Sequence, residues 1–256
     1  MPLLWIEKMS HEFGGLRAVN NYRLEVEPGQ IRGLIGPNGA GKTTIFNLIT
    51  GIYKPTEGEI YFEGKNIAGL KPYQIAAMGL GRTFQNLRLW RHMTVLEHIK
   101  MARYSKLKYG LPGAFFGTPA RYREERKSEK IAMDMLALVG VAHQADQLVV
   151  NLSYGDQRRI ELARALATEP KILFLDEPTA GMNPEELISM MNIIRKVHQQ
   201  LGLAIFLIEH RLKMVMELCQ IIQTLVFGEV IAEGTPEQIQ NNPDVIEAYL
   251  GKEVIE

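Results

Sequence analysis

Residues 36–43 read Gly36-Pro37-Asn38-Gly39-Ala40-Gly41-Lys42-Thr43, with Thr44 next, and this G-x-x-x-x-G-K-[ST] spacing narrows the possible folds more than any other feature of the chain. Its glycines let the backbone wrap until successive N–H groups converge on phosphate oxygens, and a helix start adds partial positive charge. Lys42 brings a mobile charge toward the β and γ phosphates. Thr43 offers a hydroxyl to Mg²⁺, a cation that prefers oxygen ligands and phosphates to an all-protein cage. The geometry works only between a strand and a helix. Residues 30–35 supply a short β run and residues 42–50 a helical stretch stopped by Gly51, which separates this run from a plain Gly-rich turn.

Such a loop needs an acidic counterpart, and Lys171-Ile172-Leu173-Phe174-Leu175-Asp176-Glu177 provides one. An apolar buried strand here delivers its carboxylates at the C-terminal end, where open α/β sheets bind ligands. Asp176 would hold the Mg²⁺ shell, usually through water, and Glu177 would polarise an attacking water as general base. On these two elements alone, kinases, GTPases and many ATPases all remain open.

The surrounding pattern places both in one architecture. Residues 3–9 and 18–26 read as an antiparallel hairpin around Gly14-Gly15, and residues 59–62 with 65–67 as a second around Glu63-Gly64. From 86 to 150 strand signals vanish, while 94–102 and 124–139 carry helical spacing, and the Gly/Pro-rich stretch 110–119 reads as a loop. After Pro170 the alternation resumes: strand 171–175, helix 184–200 with Asn183 as cap and Glu186 at its third position, strand 204–208, helix 211–218. The runs 172–175 and 203–208 are apolar without alternation, the mark of parallel strands covered on both faces. The expected fold is an α/β parallel-sheet core with an N-terminal antiparallel β part and an inserted α-helical subdomain. The expected organisation is one domain over 1–256, with 1–85 and 151–256 as core and 86–150 as the helical piece.

Composition removes other options. Lys+Arg and Asp+Glu are equal at 29 each, whereas nucleic-acid binders show a basic surplus, because neutralised phosphates supply most of their affinity. Residues 101–130 carry eight Lys/Arg against three Glu, either a solvated face or one facing anionic lipid headgroups. The single Cys219 has no partner for a disulfide or a zinc site and reads as a small buried apolar residue. The N-terminus lacks a signal-peptide pattern, and no run approaches the roughly 18–20 apolar residues of a membrane helix. The expectation is a soluble cytoplasmic chain able to sit beside a membrane.

Asn151-Leu152-Ser153-Tyr154-Gly155-Asp156-Gln157-Arg158-Arg159 decides among the phosphate-loop classes. Ser153-x-Gly155 before a helix, shortly ahead of the acidic strand, resembles the signature motif of ATP-binding cassette (ABC) ATPases. Other markers follow in order along nearly the whole chain. Phe13 sits where the family has an aromatic stacking on adenine, Gln85 in Thr83-Phe84-Gln85 matches the glutamine of the Q-loop, and His210 after Ile208-Glu209 matches the switch histidine. Each has a bland alternative: a core aromatic, a surface amide, a histidine at a strand end.

The resemblance implies the P-loop NTPase fold of an ABC ATPase, binding ATP and Mg²⁺, the metal held by Thr43, Gln85 and Asp176. Glu177, His210 and Gln85 would be catalytic. Two cassettes would pack head to tail, with Ser153, Tyr154, Gly155 and Asp156 acting in trans on the partner's ATP. The partner cassette would be identical or related, and permease subunits would dock near Gln85 and the helical block. Tyr154 replaces a usual glycine, Asp156 a usual glutamine, and Ala180-Gly181-Met182-Asn183 a usual Ser-Ala-Leu-Asp; Asp156 is expected to point away from the phosphate. The Tyr form of the signature, the Ala-Gly-Met-Asn-Pro run and the short ending look like ATP-binding subunits of branched-chain amino-acid importers. That implies a peripheral protein on the cytoplasmic face of the inner membrane, served indirectly by a periplasmic solute-binding protein and with no nucleic-acid partner. The alternatives are a lipopolysaccharide-export ATPase, a soluble ABC ATPase acting on nucleic acid, and a P-loop small-molecule kinase.

Overall fold

A computed structural model describes residues 1–107 and 118–250, so the expected loop at 110–119 lies largely outside the described residues, as does part of the basic 101–130 stretch. The chain opens with β1 (Leu4–Phe13), β2 (Leu16–Val26), β3 (Ile31–Ile35), α1 (Lys42–Ile49), β4 (Glu57–Phe62), β5 (Lys65–Asn66), α2 (Pro72–Ala77) and β6 (Leu80–Arg82). The helical block follows with α3 (Val95–Ala102) and α4 (Pro119–Leu138), and the chain returns through α5 (Tyr154–Leu166) and β7 (Ile172–Asp176). It closes with α6 (Pro184–Leu201), β8 (Ala204–Ile208), α7 (Leu212–Leu218), β9 (Ile221–Val226), β10 (Glu229–Gly234), α8 (Pro236–Gln240) and α9 (Pro243–Leu250).

Two sheets result: an antiparallel one in the order β2-β1-β4-β5, and a larger one in the order β10-β9-β3-β8-β7-β6. The larger sheet is parallel from β9 to β6, and only β10 joins antiparallel. Side chains alternate across a strand, so one apolar run feeds two cores. Leu173, Leu175, Ile205 and Leu207 face a core shared with α5, α6 and α7. Phe174, Phe206 and Ile208 face a second core shared with α1 and the antiparallel sheet. There the rings of Phe46, Phe174 and Phe206 meet at 4.9–5.6 Å between centroids, each buried ring contributing about 1.5–3 kcal/mol. The phosphate-loop helix is thereby anchored to the acidic strand through aromatic packing.

Several elements go beyond the sequence expectation, each for a local reason. β6 is three residues long and includes a charged Arg82, too short for periodicity to show. β9 contains Gln223 and Thr224, both buried; the Gln223 amide accepts from Tyr22 Oη at 2.7 Å and donates to the Arg23 carbonyl at 2.9 Å. Such pairing hides a polar residue in a central strand and masks its signal. α4 begins at Pro119 because Thr118 accepts from the Arg121 amide at 3.3 Å, and α5 begins at Tyr154 because Ser153 caps it. Cys219 is buried, its thiol pKa pushed up by burial, and its Sγ occupies space that a side chain at Gly33 would need. Among the described residues no helix is long and apolar enough to cross a membrane.

His98 in α3 is fully buried; its Nε2 accepts from the Trp90 amide at 2.8 Å and its Nδ1 lies 2.9 Å from the Thr94 carbonyl, which assigns the neutral Nδ1–H tautomer. Burial holds its pKa below the ordinary histidine value. A depressed folded-state pKa means the unfolded chain binds the proton more readily, so this stability is present above the ordinary value and is lost as pH falls through the folded-state value. The fall in thermal midpoint between about pH 7 and about pH 5 should therefore be shallower in His98→Gln than in the wild type. Equal slopes would count against His98 as the source.

Candidate nucleotide-binding site

β3 ends at Ile35, and the chain turns through Gly36, Gly39 and Gly41 at φ of +150°, +79° and +104° before α1 starts at Lys42. A Cβ at Gly36 would lie 2.1 Å from the Leu225 carbonyl oxygen, and one at Gly41 would lie 2.6 Å from that of Ala18, so close approach as well as φ demands glycine. The Gly228 amide donates to Ala40 at 2.9 Å and pins the loop to the β9–β10 turn. Lys42 is 6% exposed and folds its Nζ onto the carbonyls of Gly36 at 2.7 Å and Pro37 at 2.9 Å. Burial lowers its pKa, while Glu177 and Asp176 oppose that shift. An ammonium held by two neutral carbonyls beside carboxylates suits an anionic ligand, which would satisfy its charge better than they do. Thr43 is exposed in the first turn of α1, with Thr44 and the Pro37-Asn38 bend at the same rim. Lys42→Ala should weaken ATP affinity by about 30-fold or more, read by equilibrium binding; unchanged affinity would remove Lys42 from the site.

At the end of β7, Asp176 Oδ2 accepts from Arg82 Nη2 at 2.9 Å, while its Oδ1 is buried without a partner. Burial raises the Asp176 pKa against the pull of Arg82. Arg82 also donates to Asn47 Oδ1 and Thr50 Oγ1, both at 2.8 Å, tying α1 to the acidic strand. Arg82 has no place in the sequence expectation, because its carboxylate partner lies 94 residues further along the chain. The free Asp176 oxygen and the exposed Thr43 hydroxyl fit a hydrated Mg²⁺ held mainly by phosphates. No group of three or more His, Cys, Asp or Glu among the described residues is arranged to hold a metal by itself.

Glu177 follows at φ +48°, a left-handed conformation rare for a glutamate, with its amide donating to the Ile208 carbonyl at 2.9 Å. Its Oε2 accepts from Gln85 Nε2 at 3.0 Å and lies 3.8 Å from His210 Nδ1. Three residues singled out from distant parts of the sequence thus meet at one carboxylate oxygen. Glu209, which the sequence analysis left without a role, fixes the turn bearing His210. It is fully buried, accepts from Thr179 Oγ1 at 2.5 Å, and takes the amides of His210 and Arg211 at 3.2 and 3.4 Å.

Phe13 lies at the end of β1, 42% exposed, edge-on to His11 and Tyr53 with centroids 4.6 and 5.3 Å away. It therefore forms a partly exposed platform of three rings rather than a core aromatic, and His11 and Tyr53 were not foreseen. The 153–156 run stands apart: among the described residues no hydrogen bond joins it to residues 36–44. Ser153 Oγ accepts from the Asp156 amide at 3.2 Å and donates to Asp156 Oδ2 at 3.0 Å. Asp156 turns onto its own helix, accepting from Gln144 at 3.2 Å with Arg159 at 3.7 Å, yet it keeps the Ser153 hydroxyl. Asn183 accepts from the Glu186 amide at 2.9 Å as the cap of α6, a task asparagine performs as well as aspartate.

Comparison with known proteins follows the same lines. The sequence model described as ABC transporter matches residues 19–180, and that described as branched-chain amino acid ATP-binding cassette transporter matches residues 229–255. The high-affinity branched-chain amino acid transport ATP-binding protein LivG of Escherichia coli (strain K12) is 47% identical over 251 residues, covering 98% of each chain. A solved nucleotide-free ATP-binding cassette from an ABC transporter is similar at a TM-score of 0.85 with 32% identity, covering 98% of this chain and 100% of that one. A dimeric ATP-binding cassette in a post-hydrolysis state, bound to ADP and Pi, is similar at 0.74 with 25% identity, covering 91% and 98%.

Proposed function

The chain belongs to the ABC transporter family, and from that premise we propose that it is the ATP-hydrolysing subunit energising an importer of branched-chain or related amino acids. The observation that carries the hydrolytic part is the meeting of Gln85 and His210 at the Glu177 carboxylate, beside the Lys42 loop. The amino-acid part rests on relatives bearing that function over 98% of their length.

In this reading Lys42 and the 36–41 backbone hold the phosphates, and Phe13 holds the base. Glu177 takes a proton from the water that attacks the γ-phosphorus, the bond from that phosphorus to the bridging oxygen breaks, and ADP and phosphate leave. Mg²⁺, when bound, neutralises charge on the phosphate oxygens; Thr43, Asp176 and, after leaving Glu177, Gln85 would hold it. His210, with its Nδ1 3.8 Å from the Glu177 carboxylate, would donate to the γ-phosphate. Ser153 and Gly155, at the start of α5, suit the ATP of a second cassette in a head-to-tail pair, and one solved relative is dimeric. For that, the Ser153 hydroxyl must turn from Asp156 to the phosphate.

We read residues 1–256 as one cassette in which 86–150 is inserted between 1–85 and 151–256. A groove of about 560 Å³, lined by Ile52, Ile75, Phe84, Trp90 and Met101 with Arg88 at its edge, lies beside the glutamine loop and suits an amphipathic helix of a permease subunit. The protein would then sit peripherally on the cytoplasmic face of the inner membrane, meeting a periplasmic binding protein only through the permease and meeting no nucleic acid. Affinity purification from the native membrane in mild detergent, with mass spectrometry, tests this. Two polytopic proteins, a second cassette and an amino-acid-binding protein should come with the chain. Lipopolysaccharide-export subunits or ribosomal and DNA-bound partners would refute the importer reading and leave the ATPase chemistry standing.

A further inference from the structure

Two of the departures from the usual family pattern, Tyr154 and Gly181, meet in space, and Arg158 joins them to the glutamine loop. The Tyr154 hydroxyl accepts from Arg158 Nε at 3.1 Å and Nη2 at 2.8 Å, and the guanidinium lies 5.2 Å from the tyrosine ring centroid. The same guanidinium reaches across to the glutamine loop, donating to the Phe84 carbonyl at 3.0 Å and the Gln85 carbonyl at 2.5 Å. Glu161, buried one turn on, pairs with Arg158 at 3.0 Å and accepts from the Phe84 amide at 3.3 Å. A Cβ on Gly181, which stands where alanine is usual, would lie 3.2 Å from Tyr154 Cε1, so the glycine makes room for the ring. Glycine at 154 would leave the Arg158 Nε without this acceptor, and alanine at 181 would crowd the ring.

We propose that Tyr154, Arg158 and Gly181 form a matched latch that clamps the Phe84–Gln85 backbone to the signature helix, and that Tyr154 and Arg158 are thereby positioning residues for Gln85 at Glu177. The physical basis is geometric. Arg158 presents five donors in a rigid fork, enough to hold two loop carbonyls, the tyrosine oxygen and Glu161 at once. A held backbone leaves the Gln85 side chain one short path to the Glu177 carboxylate, and loosening it lets the amide wander. The latch thus ties the segment acting in trans to the segment beside the base and the permease groove.

This rests on the ATPase reading above, and wild-type turnover in the same assay tests that reading separately. Tyr154→Phe removes the hydroxyl while keeping the ring over Gly181, so the chain should fold, with thermal midpoint and ADP affinity close to wild type. Its kcat for ATP should fall about five- to tenfold with KM changed less than about twofold. The discriminating measurement repeats the substitution in a Gln85→Ala background, where the fall should shrink to under about twofold because the group being positioned is gone. Arg158→Lys, which keeps the charge but not the fork, should behave like Tyr154→Phe. A kcat loss under about twofold in the wild-type background, or equal losses with and without Gln85, would overturn the latch.

Discussion

Glu177→Gln should lower ATP turnover by about 10²–10⁴-fold while leaving ATP affinity within a few-fold of wild type. The amide keeps the shape that sits at φ +48° and still accepts from Gln85, but it cannot take a proton from water. Binding is carried by other groups: the Lys42 ammonium and the glycine-loop backbone lie outside the substitution. If ATP bridges two cassettes, slow hydrolysis should make the pair accumulate, visible as ATP-dependent dimer on size exclusion. Turnover within about tenfold of wild type would place the base elsewhere, since positioned proton transfer contributes at least about 10²-fold.

The second large effect concerns stability. Arg82→Met should destabilise the fold by about 3–5 kcal/mol, because it strands the buried Asp176 carboxylate, whose Oδ1 already lacks a partner, without a counter-charge. Both side chains of this pair are less than a tenth exposed, so solvent screening gives little relief. At this size the loss corresponds to a thermal midpoint lower by roughly 6–20 °C. Adding Asp176→Asn should restore most of the loss, since the penalty arises from an uncompensated charge rather than from lost volume. A single variant as stable as wild type, or a double variant no better than the single, would show that the pair is not what holds α1 against β7.

The two predictions touch residues of different legibility. Glu177 was readable because it ends an apolar run that pairs with a glycine loop, and both patterns are local. The caps were equally readable: Asn183, Pro184 and Glu186 start α6 where the spacing says they should, and the Asn183 side chain accepts from the Glu186 amide. Arg82 was not, since its partner lies 94 residues away and nothing in either neighbourhood announces the other. Glu209 was passed over for the same reason, its hydroxyl partner Thr179 arriving from another strand end. β9 escaped notice because a buried glutamine breaks the apolar pattern until Tyr22 is brought over it by β2.

What the sequence by itself determined is therefore everything governed by short-range backbone conformation and periodicity: the glycines that wrap the phosphate loop, the parallel strands apolar on both faces, the helix starts, and the family resemblance those runs carry. The tertiary structure alone decided which charges meet, which polar groups are hidden, and how the unusual Tyr154 and Gly181 belong together with Arg158. The physical reason is range. A dihedral preference or a cap is settled within a few residues of chain, whereas a buried ion pair or an arginine fork exists only after sheet register and helix packing have set its partners within about 3 Å.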